Sequence, residues 1–327
     1  MSAKPQTTTQ KVNPPAQSTL GAGEEAIVVD NLSKSYGSRR VVDQLTITVH
    51  RGEVFALLGP NGAGKTTTVE TLEGYRVPDQ GSVRVLGRNP IREAQALKPY
   101  IGIMLQQDGL YPGLTAREVL RLFAGYFRHP QNIDELLERV GLTAAAKTRC
   151  RRLSGGQKRR LALAVALVGN PILVFLDEPT AGMDPQARLA TWEIIRDLKR
   201  QGATVLLTTH LMDEAERLAD RVAIIDHGRL IALDTPAQMT GVQNATIVRF
   251  VAPSGLDCAT LAALPSAKRA EEIRPGSYLI ETETVPALLA ELTAWLRDNN
   301  ITLSELRVGH GSLEELFLRL TGGEVRD

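Results

Sequence analysis

From Ala26 onward, short aliphatic runs alternate with stretches of helical spacing, and turn residues punctuate the two. The runs Val54 to Leu58, Ile101 to Leu105, Ile172 to Leu176, Thr204 to Thr208 and Val222 to Asp226 predict strands. Ile172 to Leu176 is apolar throughout, the pattern of a strand covered on both faces of a mostly parallel sheet. Helices are predicted over Thr66 to Glu73, Ala116 to Phe127, Ser154 to Val168, Pro185 to Gln201 and Met212 to Ala219. After Pro236 the character changes. Thr246 to Val251, Tyr278 to Glu281 and Leu303 to Val308 predict strands, and Val285 to Arg297 and Leu313 to Leu320 predict helices. The expectation is an α/β domain over residues 25–240 and a small α+β module over 241–327, joined by the polar stretch near Gly241 to Asn244.

Composition narrows the class. A chain of 327 residues with 43% apolar and 23% charged side chains is no disulfide-stapled miniature, and disorder along most of its length is excluded. Residues 1–24 are the exception: Thr, Gln, Pro and Ser dominate, no apolar signal core is present, and a disordered tail is expected. With 38 Lys and Arg against 37 Asp and Glu, nothing in the charge points to nucleic acid as a partner. The longest apolar stretch, Leu161 to Leu176, is broken by Gly169, Asn170 and Pro171 and is too short to cross a bilayer. Cys150 and Cys258 stand far apart without CxxC or histidine company, which favours free thiols in a reducing, cytoplasmic setting.

The segment Gly59-Pro60-Asn61-Gly62-Ala63-Gly64-Lys65-Thr66 fits G-x-x-x-x-G-K-[ST] between a predicted strand and a predicted helix, the context that pattern requires. Its glycines let backbone N–H groups converge on phosphate oxygens, and the helix contributes its positive dipole end. Lys65 would reach the β- and γ-phosphates, and the Thr66 hydroxyl would ligate Mg²⁺. The plain alternative is an ordinary Gly-rich turn. Asp177 leaves a buried strand, where a second Mg²⁺ contact is needed, and Glu178 beside it would polarise an attacking water. Taken alone, the two could equally be solvated loop carboxylates ahead of Pro179.

Leu153-Ser154-Gly155-Gly156-Gln157, one helix and one strand before Asp177, distinguishes among phosphate-loop families. With the phosphate loop and the Asp-Glu strand end, the chain resembles an ATP-binding cassette (ABC) ATPase over about Ala26 to Pro236. That resemblance implies a P-loop NTPase fold with a mostly parallel sheet and a helical subdomain. It also implies ATP and Mg²⁺ as ligands, with Thr67 in the nucleotide-binding set. Tyr36 matches the aromatic that stacks on adenine. Gln106 matches the Q-loop glutamine near Mg²⁺ and the water, with Gln107 leaving the register open by one. Asp184 in Ala181-Gly-Met-Asp184 matches the D-loop, and His210 the switch histidine at the γ-phosphate. Singly, Tyr36 could be a rim aromatic, Gln106 a polar loop residue and His210 a satisfied strand-end histidine; their joint order carries the match. Ser154 could merely cap the helix that follows, though the same geometry aims its hydroxyl outwards at an anion.

The resemblance implies a head-to-tail homodimer in which Ser154 to Gln157 of one subunit cover ATP on the other. Separate membrane permease subunits would contact the region after the Q-loop, roughly Asp108 to Glu118, and the chain would lie peripherally on the cytoplasmic face of the membrane. Thr-Leu-Glu-Gly-Tyr75, Leu-Tyr-Pro-Gly-Leu-Thr115 and Ser312-Leu-Glu-Glu-Leu-Phe317 are similar to the ATPase subunits of drug exporters of the daunorubicin-resistance type. The last of these also reads as a capped amphipathic helix, with Ser312 as N-cap and Glu315 three residues on. The alternative is a soluble cassette of DNA repair or translation, but neither a long insertion nor a second ATPase domain is visible. A regulator that only binds nucleotide is opposed by Glu178 and His210.

Overall fold

The computed structural model describes residues 24–105, 109–240, 246–309 and 312–320; the expected tail lies outside these except for Glu24, and so do Gln106 and residues 241–245. The chain opens with a layer that aliphatic periodicity did not reveal. β1 (Glu25–Tyr36) pairs antiparallel with β2 (Arg39–His50) and, on its other edge, with β4 (Gln80–Val85). The register slips between Val29 and Leu32, next to Asn31 at φ 48°, so the buried positions change parity within the strand.

The central sheet consists of β3 (Val54–Leu58), β5 (Ile101–Met104), β6 (Leu173–Asp177), β7 (Thr204–Thr209), β8 (Arg221–Asp226) and β9 (Arg229–Asp234). Its spatial order is β5-β6-β7-β3-β8-β9, parallel throughout except for β9. Around it run α1 (Lys65–Leu72), α2 (Ala94–Leu97), α3 (Ala116–Ala124), α4 (Ile133–Arg139), α5 (Gly155–Leu167), α6 (Pro185–Arg200), α7 (Met212–Leu218) and α8 (Pro236–Met239). Alternate residues of each strand feed different cores. Val54, Ala56, Leu58, Val174, Leu176, Val205 and Leu207 pack with α3 to α7. Phe55, Leu57, Leu173, Phe175 and Leu206 pack with α1 and with the inner face of β1 and β2. The expected α/β fold with both sheet faces covered is therefore present.

A second antiparallel sheet follows, in the order β11-β12-β10-β13: β10 (Thr246–Val251), β11 (Arg269–Arg274), β12 (Ser277–Thr282) and β13 (Glu305–Gly309). With α9 (Cys258–Ala262) and α10 (Val285–Asp298) it encloses its own core, in which Phe250 and Tyr278 stack at 5.1 Å and Leu288, Leu292 and Leu296 close over them. The last helix, α11 (Leu313–Leu320), does not join that core. Leu313 and Phe317 are buried in the same cluster as Ala215 and Leu218 of α7, and the Leu313 N–H donates to the Glu216 carboxylate.

Candidate active site

β5, β6, β7 and β3 are consecutive in space and parallel, so whatever follows their carboxyl ends gathers on one edge of the sheet. Leu105 leaves β5, Asp177 ends β6 with Glu178 behind it, Thr209 ends β7 with His210 behind it, and the Gly59 to Gly64 loop leaves β3. Ligands of open α/β sheets lie at such carboxyl ends.

The loop is wedged in place. A Cβ on Gly59 would stand 2.4 Å from the Ile225 carbonyl, and one on Gly64, at φ 101°, 2.6 Å from that of Val41. Ala63 N–H closes the curl on Pro60 O at 3.2 Å, and Gly228 N–H ties it to β8 and β9 through Ala63 O at 3.0 Å. α1 starts at Lys65 without a side-chain cap, which leaves the first-turn amides and the positive helix end to an anion. Lys65 is buried, and its Nζ donates to Gly59 O at 2.6 Å and Pro60 O at 3.1 Å. Burial pushes its ammonium down from the ordinary lysine range, and the nearby Glu178 and Asp177 pull it back up. Asn61, Gly62 and Thr66 face solvent, and Thr67 is half-buried.

Asp177 is buried, which raises its carboxyl above the usual range; the Thr208 hydroxyl donates to Oδ1 and opposes that rise, as do Arg159 and Lys65. Glu178 adopts φ 47°, a left-handed conformation that costs roughly 1–2 kcal/mol in an L-residue. Its N–H donates to both the carbonyl and the hydroxyl of Thr208, each at 3.1 Å. Its Oε1 lies 3.2 Å from Nδ1 of the half-exposed His210. Carboxylate, imidazole, ammonium and anion loop thus share one edge, an arrangement able to hold a polyphosphate and take a proton from water beside it.

The remaining expected residues lie around this centre. Ser154 Oγ accepts from Gln157 N–H at 3.2 Å while Gln157 Oε1 accepts from Ser154 N–H at 3.0 Å, so α5 does begin in a capping box. An accepting hydroxyl still has its own proton to give, and Gly155 and Gly156 open onto free space. Asp184 caps α6 through Ala187 N–H at 2.9 Å. Tyr36 is 42% exposed, with Arg76 and Lys34 cations 5.7 and 5.8 Å from the ring centroid. Gln106 lies outside the described residues. No cluster of three or more His, Cys, Asp or Glu able to cage a metal occurs among the described residues. Thr66 and Asp177 suit Mg²⁺, which keeps waters and takes phosphate oxygens besides one or two protein ligands.

Two side chains escaped the sequence reading. Thr208 bridges Asp177 and Glu178, and its signal is a hydroxyl at the end of a fully buried strand. Arg159 donates to three backbone carbonyls of the site, and its signal is a charge on the apolar face of α5, one turn before Ala162 and Leu163.

The family described as ABC transporter matches residues 42–181. The chain is 40% identical over 313 residues to Nod factor export ATP-binding protein I of Paraburkholderia xenovorans (strain LB400), covering 93% of this chain and 99% of the relative. It is 38% identical over 312 residues to daunorubicin resistance ATP-binding protein DrrA3 of Streptomyces coeruleorubidus, covering 93% and 98%. Among solved structures, the ATP-binding cassette MJ0796 in a dimeric post-hydrolysis state bound to ADP and Pi superposes with a TM-score of 0.60 at 25% identity, covering 64% of this chain and 98% of that one.

Proposed function

Because this chain belongs to the ATP-binding proteins of ABC transporters, we propose that the sheet edge just described is where it binds and hydrolyses ATP to drive separate membrane permease subunits. The chain is an ATPase subunit of an export system. The observation that carries the residue assignment is Glu178 Oε1 at 3.2 Å from His210 Nδ1, on the strand edge that also bears the Lys65 loop.

In this reading the loop amides and the α1 N-terminus receive the phosphates, and the Lys65 ammonium turns from the Gly59 and Pro60 carbonyls to the β- and γ-phosphate oxygens. Thr66 and Asp177 would hold Mg²⁺, which would supply charge neutralisation on the phosphates. Glu178 accepts the proton of the attacking water, and His210 steadies the Glu178 carboxylate and contacts the γ-phosphate. Tyr36 offers its exposed ring to adenine. Ser154 to Gln157 reach the nucleotide of a second copy of the chain, with the free Ser154 hydroxyl proton as donor, and Asp184 and Gln106 complete the set. The dimeric form of MJ0796 supports a homodimer; in this reading ATP bridges the two copies, and loss of the γ-phosphate contacts lets them separate.

No helix among the described residues is long and apolar enough to cross a membrane. In this reading the transport path would belong to the permease, with this chain peripheral on the cytoplasmic face. The relatives' names, Nod factor export and daunorubicin resistance, support a drug or antibiotic among the cargoes, with a lipid-like molecule as the other class in this reading, and they favour export over a soluble cassette of repair or translation. The test is Glu178→Gln, which keeps shape and removes the base. ATP binding should survive, hydrolysis should fall by ~10²-fold or more, and an ATP-trapped dimer should accumulate. Captured from membranes with MgATP, that variant should bring down a polytopic membrane protein. Normal turnover would remove Glu178 from its role, and recovery of ribosomes or DNA alone would overturn the transport reading.

A further inference from the structure

Arg159 is 6% exposed, yet it belongs to the helix whose N-cap is Ser154. Its Nη2 donates to Asp177 O and to Glu178 O, each at 2.6 Å, its Nε to Glu178 O at 3.2 Å, and its Nη1 to Leu105 O at 3.2 Å. These carbonyls sit at or just past the last ladder pairs of β5 and β6, Met104 with Leu176 and Asp177 with Thr208. Strand-end carbonyls in a dry interior need donors, and a planar guanidinium serves several at fixed angles where an ammonium offers one point. The same cation also favours the charged form of Asp177.

We propose that Arg159 is a positioning residue that couples the Ser154 segment to the water-activating elbow. It holds Glu178 in its left-handed conformation and fixes the end of β5 against it. Its Cα rides on α5, so a shift of α5 when a second subunit docks on Ser154 reaches the Glu178 and Leu105 carbonyls through one rigid side chain. Contact across the dimer would in this way set the aim of Glu178 within its own subunit. The inference rests on the reading that Glu178 activates the water.

The experiment uses the purified full chain carrying Arg159→Lys, Arg159→Met, Glu178→Gln, or the Arg159→Lys/Glu178→Gln pair. ATPase kinetics and calorimetric titration with ATP are the readouts. Misplacing a catalytic group by about 1 Å costs on the order of 10²-fold, so kcat should fall ~10²-fold in the Met variant and ~10-fold in the Lys variant, with ATP affinity and KM within about threefold of wild type. Because Arg159 acts through Glu178, adding Arg159→Lys to Glu178→Gln should lower the residual single-turnover rate less than about twofold. A wild-type kcat in Arg159→Lys, a KM rise without a kcat fall, or fully multiplicative losses in the pair would each overturn the proposal. Normal turnover by Glu178→Gln would instead sink the reading of Glu178 itself. Arg159→Lys keeps the buried charge and decides the matter alone if Arg159→Met does not fold.

Discussion

Glu73, the residue after α1, offers a quantitative check on the electrostatics of this edge. It is 9% exposed, and its carboxyl is pushed up to about 8, first by burial and then by the negative charges of Asp177 and Glu70. A raised carboxyl binds its proton more tightly in the folded than in the unfolded chain. Its contribution to stability is therefore complete below the ordinary glutamate value of 4.5 and is lost as the pH climbs through about 8. At about 1.4 kcal/mol per pH unit, the loss across that window reaches ~5 kcal/mol as an upper figure. Glu73→Gln mimics the protonated form and cannot ionise. Urea unfolding of wild type and variant at pH 5, 7 and 9, without nucleotide, removes the other titrating groups by subtraction. The two proteins should be about equally stable at pH 5, and the variant should be the more stable by several kcal/mol at pH 9. Curves that stay parallel within ~0.5 kcal/mol across the range would refute the argument, since Glu73 would then titrate alike in both states.

Other perturbations test neighbouring links. Lys65→Ala removes a cation aimed at phosphate and should weaken ATP binding at least ~10-fold by calorimetry; unchanged affinity would count against the loop as the phosphate site. Thr208→Val keeps the volume but removes the hydroxyl bridge between Asp177 and Glu178, which should cost ~1.5–3 kcal/mol in urea unfolding and lower ATPase turnover. An unchanged unfolding free energy together with unchanged turnover would speak against the bridge. Phe317→Ala should destabilise the central domain by ~3–5 kcal/mol, because this side chain fills the core shared with α7; a loss confined to the C-terminal sheet, seen by hydrogen exchange, would contradict that packing.

Local sequence was enough for much of this protein. A loop with three glycines before Lys65, apolar runs covered on both faces, and Ser154 three residues ahead of Gln157 each carry their conformation within a few residues, through steric freedom, burial period and capping. β1 and β2 escaped because bulges at Asn31 and Gln44, both at positive φ, break the two-residue period by which strands are recognised. Leu313 and Phe317 showed an amphipathic face, but nothing along the chain says which core that face will meet; burial against α7 is a long-range choice. The gathering of the site was likewise decided only by tertiary structure. Strand order β5-β6-β7-β3 is not chain order, and it alone brings Lys65, Asp177, Glu178 and His210 to one edge. The roles of Arg159 and Thr208 follow from the same cause. Their partners are mostly backbone carbonyls and amides at strand ends, groups every residue carries, so no pattern of side chains can announce which of them folding will leave in need of a donor or acceptor.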